Sequence, residues 1–165
     1  MSILLVVIIA LMLFAVWYLS FTASRLDRLH HRVETSWGNL DAALRTRSAL
    51  ALEVARSNLV DPATSLLLLA AAHVAVIANQ AERSEAEEEL SRLLLSLIEE
   101  GALSSDAQIF RELSQARERL RIAIALHLEA VVRTQAQRAR PIVKIFRLAG
   151  RAPLPVRYPF EEIQV

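Results

Sequence analysis

Cysteine is absent from the 165 residues, which removes disulfides, thiolate metal sites and cysteine nucleophiles together. Glycine occurs three times and proline five times, too little turn material for a fold of many short strands. Neither sign of charge dominates: 19 Lys and Arg face 18 Asp and Glu, a net of +1. No global field therefore argues for nucleic acid. No G-x-S-x-G, P-loop or G-x-G-x-x-G occurs, so the expectation is a protein that is not an enzyme and holds no cofactor. What the chain does have is apolar length. Hydrophobic residues make up 54%, too many for a disordered chain and enough for one all-α domain with its own core.

Nineteen residues from Ile3 to Phe21 carry no charge. At 1.5 Å per residue they reach about 28 Å, close to the hydrocarbon thickness of a bilayer. Thirteen of them are Ile, Leu, Val or Phe, which sums to about −5 kcal/mol for insertion. Trp17 and Tyr18 stand near the end of the run, where amphipathic rings settle among headgroups. A cleaved signal peptide fits less well: no Lys or Arg precedes the run, it exceeds the usual apolar core of such peptides, and bulky Phe21 stands where cleavage after Ala23 needs a small residue. Residues 1–22 are read as an uncleaved transmembrane anchor. Arg25, Arg28 and Arg32 follow it directly, so the positive-inside bias places the first residue outside and residues 23–149, a helical bundle, in the cytoplasm.

Beyond the anchor, Leu26, Leu29, Val33, Trp37, Leu40 and Leu44 recur in steps of three and four. This predicts one helix running from the membrane to about Asn58, with Trp37 in the core. Asp61 and Pro62 read as N-cap and first residue of a second helix, predicted to continue to Glu100 and to end at Gly101. Residues 62–81 carry no formal charge and seven alanines; a helix buried all round in the bundle accounts for them better than a second membrane span. Ser105 or Asp106 caps a third helix with the stripe Ile109, Leu113, Ala116, Leu120, Ile124, His127, Val131. Pro141 ends it, a short segment to Ala149 follows, Gly150 closes that, and residues 150–165 form a proline-punctuated tail. The architecture expected is three long antiparallel helices plus one short.

The stretch RLDRLHHRVETSWGNLDAALRTR at Arg25–Arg47 resembles the LemA family, whose transmembrane helix continues into V-x-x-A-W-x-x-I-D-x-x-L-K-R-R. The matching positions are Val33, Trp37, Leu40, Asp41, Leu44, Arg45 and Arg47, with Arg32 or its neighbour. The stretches FRELSQARERLRIAIALHLEAVVRT and IFRLAGRAPLPVRYPFE are similar to later parts of the family pattern. The family's D-L-I-P-N-L-V stands here as ALALEVA. The resemblance implies a helical bundle beneath one anchor, with no agreed biochemical activity.

Two clusters have side chains that could support chemistry. Asp27, His30, His31 and Glu34 have metal-compatible spacing, but two imidazoles without H-E-x-x-H read as a solvated face. Glu85, Glu88 and Glu89 share a helix face and read the same way. Charge distribution is more telling. Residues 82–112 hold nine acids and three bases; residues 130–160 hold Arg133, Arg138, Arg140, Lys144, Arg147, Arg151 and Arg157 with no acid. Three alternating helices would return the acidic stretch to the membrane and stand the basic end at the far tip. Arg138, Arg140, Lys144 and Arg147 are then expected to meet a partner protein, and the chain reads as a scaffold or adaptor for other membrane proteins, with self-association open. The alternative is that the basic end, residues 133–157, grips anionic lipid or nucleic acid.

Overall fold

Nothing between Ser2 and Arg56 stops a helix, and α1 runs through all 55 residues. No proline removes a backbone donor, and the single glycine, Gly38, is exposed, with no atom within 4 Å of where a Cβ would sit. The computed structural model describes residues 2–79, 82–103, 106–146 and 148. Ser105, Arg147, Ala149, Gly150 and the tail at 150–165 lie outside the described residues.

The punctuation behaves as its chemistry requires. The α1 helix ends where Ser57 Oγ donates back to Val54 O at 2.6 Å. Asp61 Oδ1 accepts from Ala63 N and Thr64 N at 2.9 and 3.2 Å, and Pro62 opens α2 (Pro62–Ile77). Gly101, at φ 71°, closes α3 (Arg83–Glu99). Its N–H and that of Ala102 satisfy Ile98 O and Leu97 O at 3.2 and 3.1 Å, the paired bonds of a Schellman end. Asp106 caps α4 (Ala107–Arg138) through Gln108 N and Ile109 N. Pro141 stands first in α5 (Pro141–Ile145). All regular structure among the described residues is helical.

The predicted second helix is two. After Ile77 the backbone of Ala78 turns extended, at φ −55° and ψ 133°. Asn79 Oδ1 and O then accept from Glu82 N. Asn79 followed by Glu82 at three residues is a helix-start signature, and short amide side chains that bond nearby backbone compete with helix continuation.

The chain divides into two units. Unit 1 joins Met1–Ser36 with His127–Val156; unit 2 joins Trp37–Leu126 with Arg157–Val165. In unit 2 one core cluster packs Ala51, Val54 and Ala55 of α1 with Leu68, Ala72 and Ala75 of α2, Leu90, Leu94 and Leu97 of α3, and Leu113 of α4. A second joins Leu40 and Leu44 to Leu120 and Ala123, with Trp37 partly buried at its edge. Trp37 is thus a rim residue, not a fully enclosed one.

The uncharged helix is also not buried all round. Leu68, Ala71, Ala72 and Ala75 face the core, while Leu66 and Ile77 are 69% and 65% exposed. Once the break after Ile77 shortens α2 to 16 residues, it packs on its neighbours through one face and leaves the other uncovered.

Candidate membrane-facing site

In unit 1 the apolar start of α1 is exposed. Its most hydrophobic 18-residue window has a mean hydropathy of 2.8 and none of it is buried. By length and composition the helix could cross a membrane or serve as a signal sequence. Trp17 and Tyr18 are exposed, and Phe14, Trp17 and Phe21 stack along one side with centroids 5.8 and 6.0 Å apart. Arg25, Arg28 and Arg32 are exposed on the turns that follow.

Against this segment α4 runs antiparallel. Ser36 Oγ lies 3.0 Å from His127 Nδ1, Thr134 Oγ1, which donates to Ala130 O at 2.8 Å, lies 3.3 Å from Leu29 O, and Arg138 Nη1 lies 3.5 Å from His30 Nε2. Each step along α4 is therefore a step toward the apolar end of α1. Arg140 and Lys144 continue that path and are exposed, while Val143 between them is buried. Thr22 and Leu26, at the exit of the apolar run, are buried as well.

This corrects the expected geometry. The basic end of α4 does not stand at the far tip; it lies beside the arginines that follow the apolar run. The cause is that α2 and α3 are separate helices: one added reversal changes the direction of every later helix. The acidic stretch is displaced for the same reason. Its Arg83 and Glu87 meet α1 at Asp41 and Arg47 within unit 2. Arg147, counted with the basic end, lies outside the described residues.

His127 is 3% exposed, and burial holds its imidazole below the usual histidine range. Ser36 gives its one hydroxyl proton to Val33 O at 2.8 Å, so Ser36 Oγ accepts from the Nδ1–H of a neutral ring. Of the cluster considered for metal, His31 lies 3.8 Å from Glu34, and among the described residues no three possible ligands gather.

In unit 2, Asp41 and Arg47 of α1 meet charged residues of α3. Arg47 Nη2 donates to Glu87 Oε2 at 2.6 Å and Nη1 to Ser91 Oγ at 2.7 Å. Arg83 joins Glu87 Oε1 at 3.2 Å and Asp41 Oδ1 at 2.9 Å, and exposed Arg45 holds Asp41 Oδ2 at 2.7 Å. Glu87 is 0% exposed. Its signal was positional: Arg83, Glu87 and Ser91 fall at four-residue steps on the face of Leu90, Leu94 and Leu97, where a charge must find a partner. Glu85, Glu88 and Glu89 are off that face; Glu88 and Glu89 pair with Arg92. Val33 is half-buried, and Leu40 and Leu44 are buried.

A cavity of about 40 Å³ adjoins this network, lined by Arg47, Ser91, Leu94, Leu95, Ile98, Leu113 and Arg117. That volume suits two or three water molecules. The geometry carries the functional reading by itself, because no family model, curated protein or solved structure matches the chain.

Proposed function

We propose that the chain is a non-enzymatic, single-pass membrane protein, a divergent relative of the LemA family, whose helical domain stands in the cytoplasm as a scaffold. Its basic collar lies on the anionic headgroups of the membrane that holds α1. The observation that carries this is the antiparallel register of α1 and α4, which sets Arg138, Arg140 and Lys144 at the same end as Arg25, Arg28 and Arg32. Cations next to an anionic leaflet contribute about 1 kcal/mol each, so a cluster of this size can fix how the domain rests on its membrane. Lipid is favoured over nucleic acid because the cations flank an apolar helix. It is favoured over an acidic partner at a distant tip because that tip is not where they lie.

The test uses the absence of native cysteine. A polarity-sensitive dye on Ala139→Cys in the full chain, reconstituted into liposomes, should report a drier environment when phosphatidylserine is present than in phosphatidylcholine alone. Replacing Arg138, Arg140 and Lys144 by Ser, or adding molar salt, should abolish the difference. A dye that reads water in both lipids ends the collar reading. Loss of a co-purifying protein from the triple variant, with the dye unchanged, would restore the adaptor reading for this site.

A further inference from the structure

The cavity beside the Arg47 network holds a donor that the described residues leave unsatisfied. Arg47 is 5% exposed. Its Nη1 donates to Ser91 Oγ, and its Nη2 donates to Glu87 Oε2 and Glu87 O at 2.6 and 3.2 Å. Its Nε–H is buried and meets no acceptor among the described residues. The acids of the network are committed already: Glu87 holds Arg47 and Arg83, and Asp41 holds Arg83 and Arg45. Ser91 Oγ gives its own proton to Glu87 O at 2.8 Å. Buried N–H groups are almost always paired, so an orphan on a cavity wall points to something that the cavity receives.

The lining selects the chemistry of the occupant. It contains two guanidinium groups, of Arg47 and of exposed Arg117, and no carboxylate. Guanidinium has donors and no acceptor, so the occupant must bring an acceptor, and a negative charge strengthens each hydrogen bond it accepts. The other walls are Leu94, Leu95, Ile98 and Leu113, which favour a hydrocarbon over further polar groups. A carboxyl head, one carbon and its oxygens, matches the about two or three water molecules that the 40 Å³ admits. Phosphate and sulfate carry more oxygens than these walls can satisfy. Leu95 and Ile98 are only half-buried, so a tail can continue along them toward solvent.

We infer that this cavity binds a short aliphatic monocarboxylate, its head between Arg47 Nε and Arg117 and its chain against Leu94, Leu95, Ile98 and Leu113. The lining residues all belong to unit 2, so the inference does not depend on the lipid collar. A ligand this small binds with a Kd of about 1 mM. Arg47 ties α1 to α3 through Glu87 and Ser91, so an occupant that pairs its last donor also stabilises the folded domain.

Hexanoate is the probe, titrated into the full chain in lipid nanodiscs. It should move the Arg47 Nε–H signal downfield in proton–nitrogen NMR and saturate, while hexan-1-ol and hexylammonium leave the signal in place. Acetate, which has the head without the chain, should bind at least tenfold more weakly. Arg117→Gln, at an exposed position, should weaken hexanoate at least tenfold, and Leu95→Trp, which fills the cavity, should abolish the shift, both with helix content unchanged. Arg47 itself is kept, because its loss breaks the ion network. A signal that hexanoate never moves overturns the inference and leaves water in the cavity. Hexan-1-ol acting as strongly as hexanoate shows an apolar cavity without ion recognition and overturns it. Acetate or phosphate acting as strongly shows an adventitious ion only, and a shift that survives Leu95→Trp places the ligand elsewhere; either result overturns it too.

Discussion

Both units are built on α1 and α4 in the same antiparallel sense, yet different chemistry holds each. In unit 2, Leu40 and Leu44 meet Leu120 and Ala123, and α2 and α3 add leucines and alanines to a shared core. That enclosure is deep enough to take Glu87 wholly out of water. In unit 1 the described pairing is of two long helices and the five residues of α5, and the buried set is more polar: Thr22, His127, Thr134 and Gln137 beside Leu26, Ala130, Val131 and Val143. Two helices alone bury only a narrow seam, so polar contacts such as His127 with Ser36 supply register that a broad apolar core would otherwise impose. The comparison teaches that the same pair of helices can be held by an apolar cluster that other helices help enclose or by single polar contacts along a seam.

The largest expected effect breaks unit 2. Glu87→Ala leaves Arg47 and Arg83 buried without their shared carboxylate and should cost about 3–5 kcal/mol, read by thermal unfolding of the full chain in detergent and by faster amide exchange in α3. An unchanged midpoint would mean that the network is solvated. Trp37→Ala should cost less than the 3–5 kcal/mol of an enclosed tryptophan, because the ring sits at the edge of its cluster. A loss as large as that of Glu87→Ala would place Trp37 in the core.

The next effect tests unit 1 through pH. With the His127 pKa depressed in the folded chain, the unfolded chain takes up the proton first as pH falls. The stability associated with the neutral ring is therefore complete above about 6.5 and is lost progressively from there down to the folded pKa. His127→Gln should flatten this dependence; a slope that survives the substitution must come from another group. The smallest effect is a gain. Gly38→Ala meets open space and should stabilise α1 by about 0.5–1 kcal/mol, measurable as a higher unfolding midpoint.

Much of the secondary structure was legible because its causes are local. The apolar run, the three- and four-residue steps from Leu26 to Leu44, the cap at Asp61 with Pro62, the stop at Gly101 and the start at Pro141 all depend on neighbours in the chain. The Asn79–Glu82 start signal was equally local and was outweighed by an unbroken apolar and alanine-rich pattern around it. Of the candidate site, Arg25, Arg28, Arg32, Arg138, Arg140 and Lys144 could be named from charge alone, but not which end of the bundle they share.

The sequence by itself determined where helices lie, which stripe of each is apolar, and that the start of α1 is long and greasy enough for a bilayer. Those properties follow from backbone sterics, capping and solvation within a few turns. Only the tertiary structure decided that Glu87 is buried while Glu85 is exposed, that α2 hides one face and not two, and that the basic end of α4 returns to the arginines after the apolar run. Each of these depends on how many times the chain reverses and on what then packs against what. A single reversal changes the answer without altering the local pattern of any helix after it.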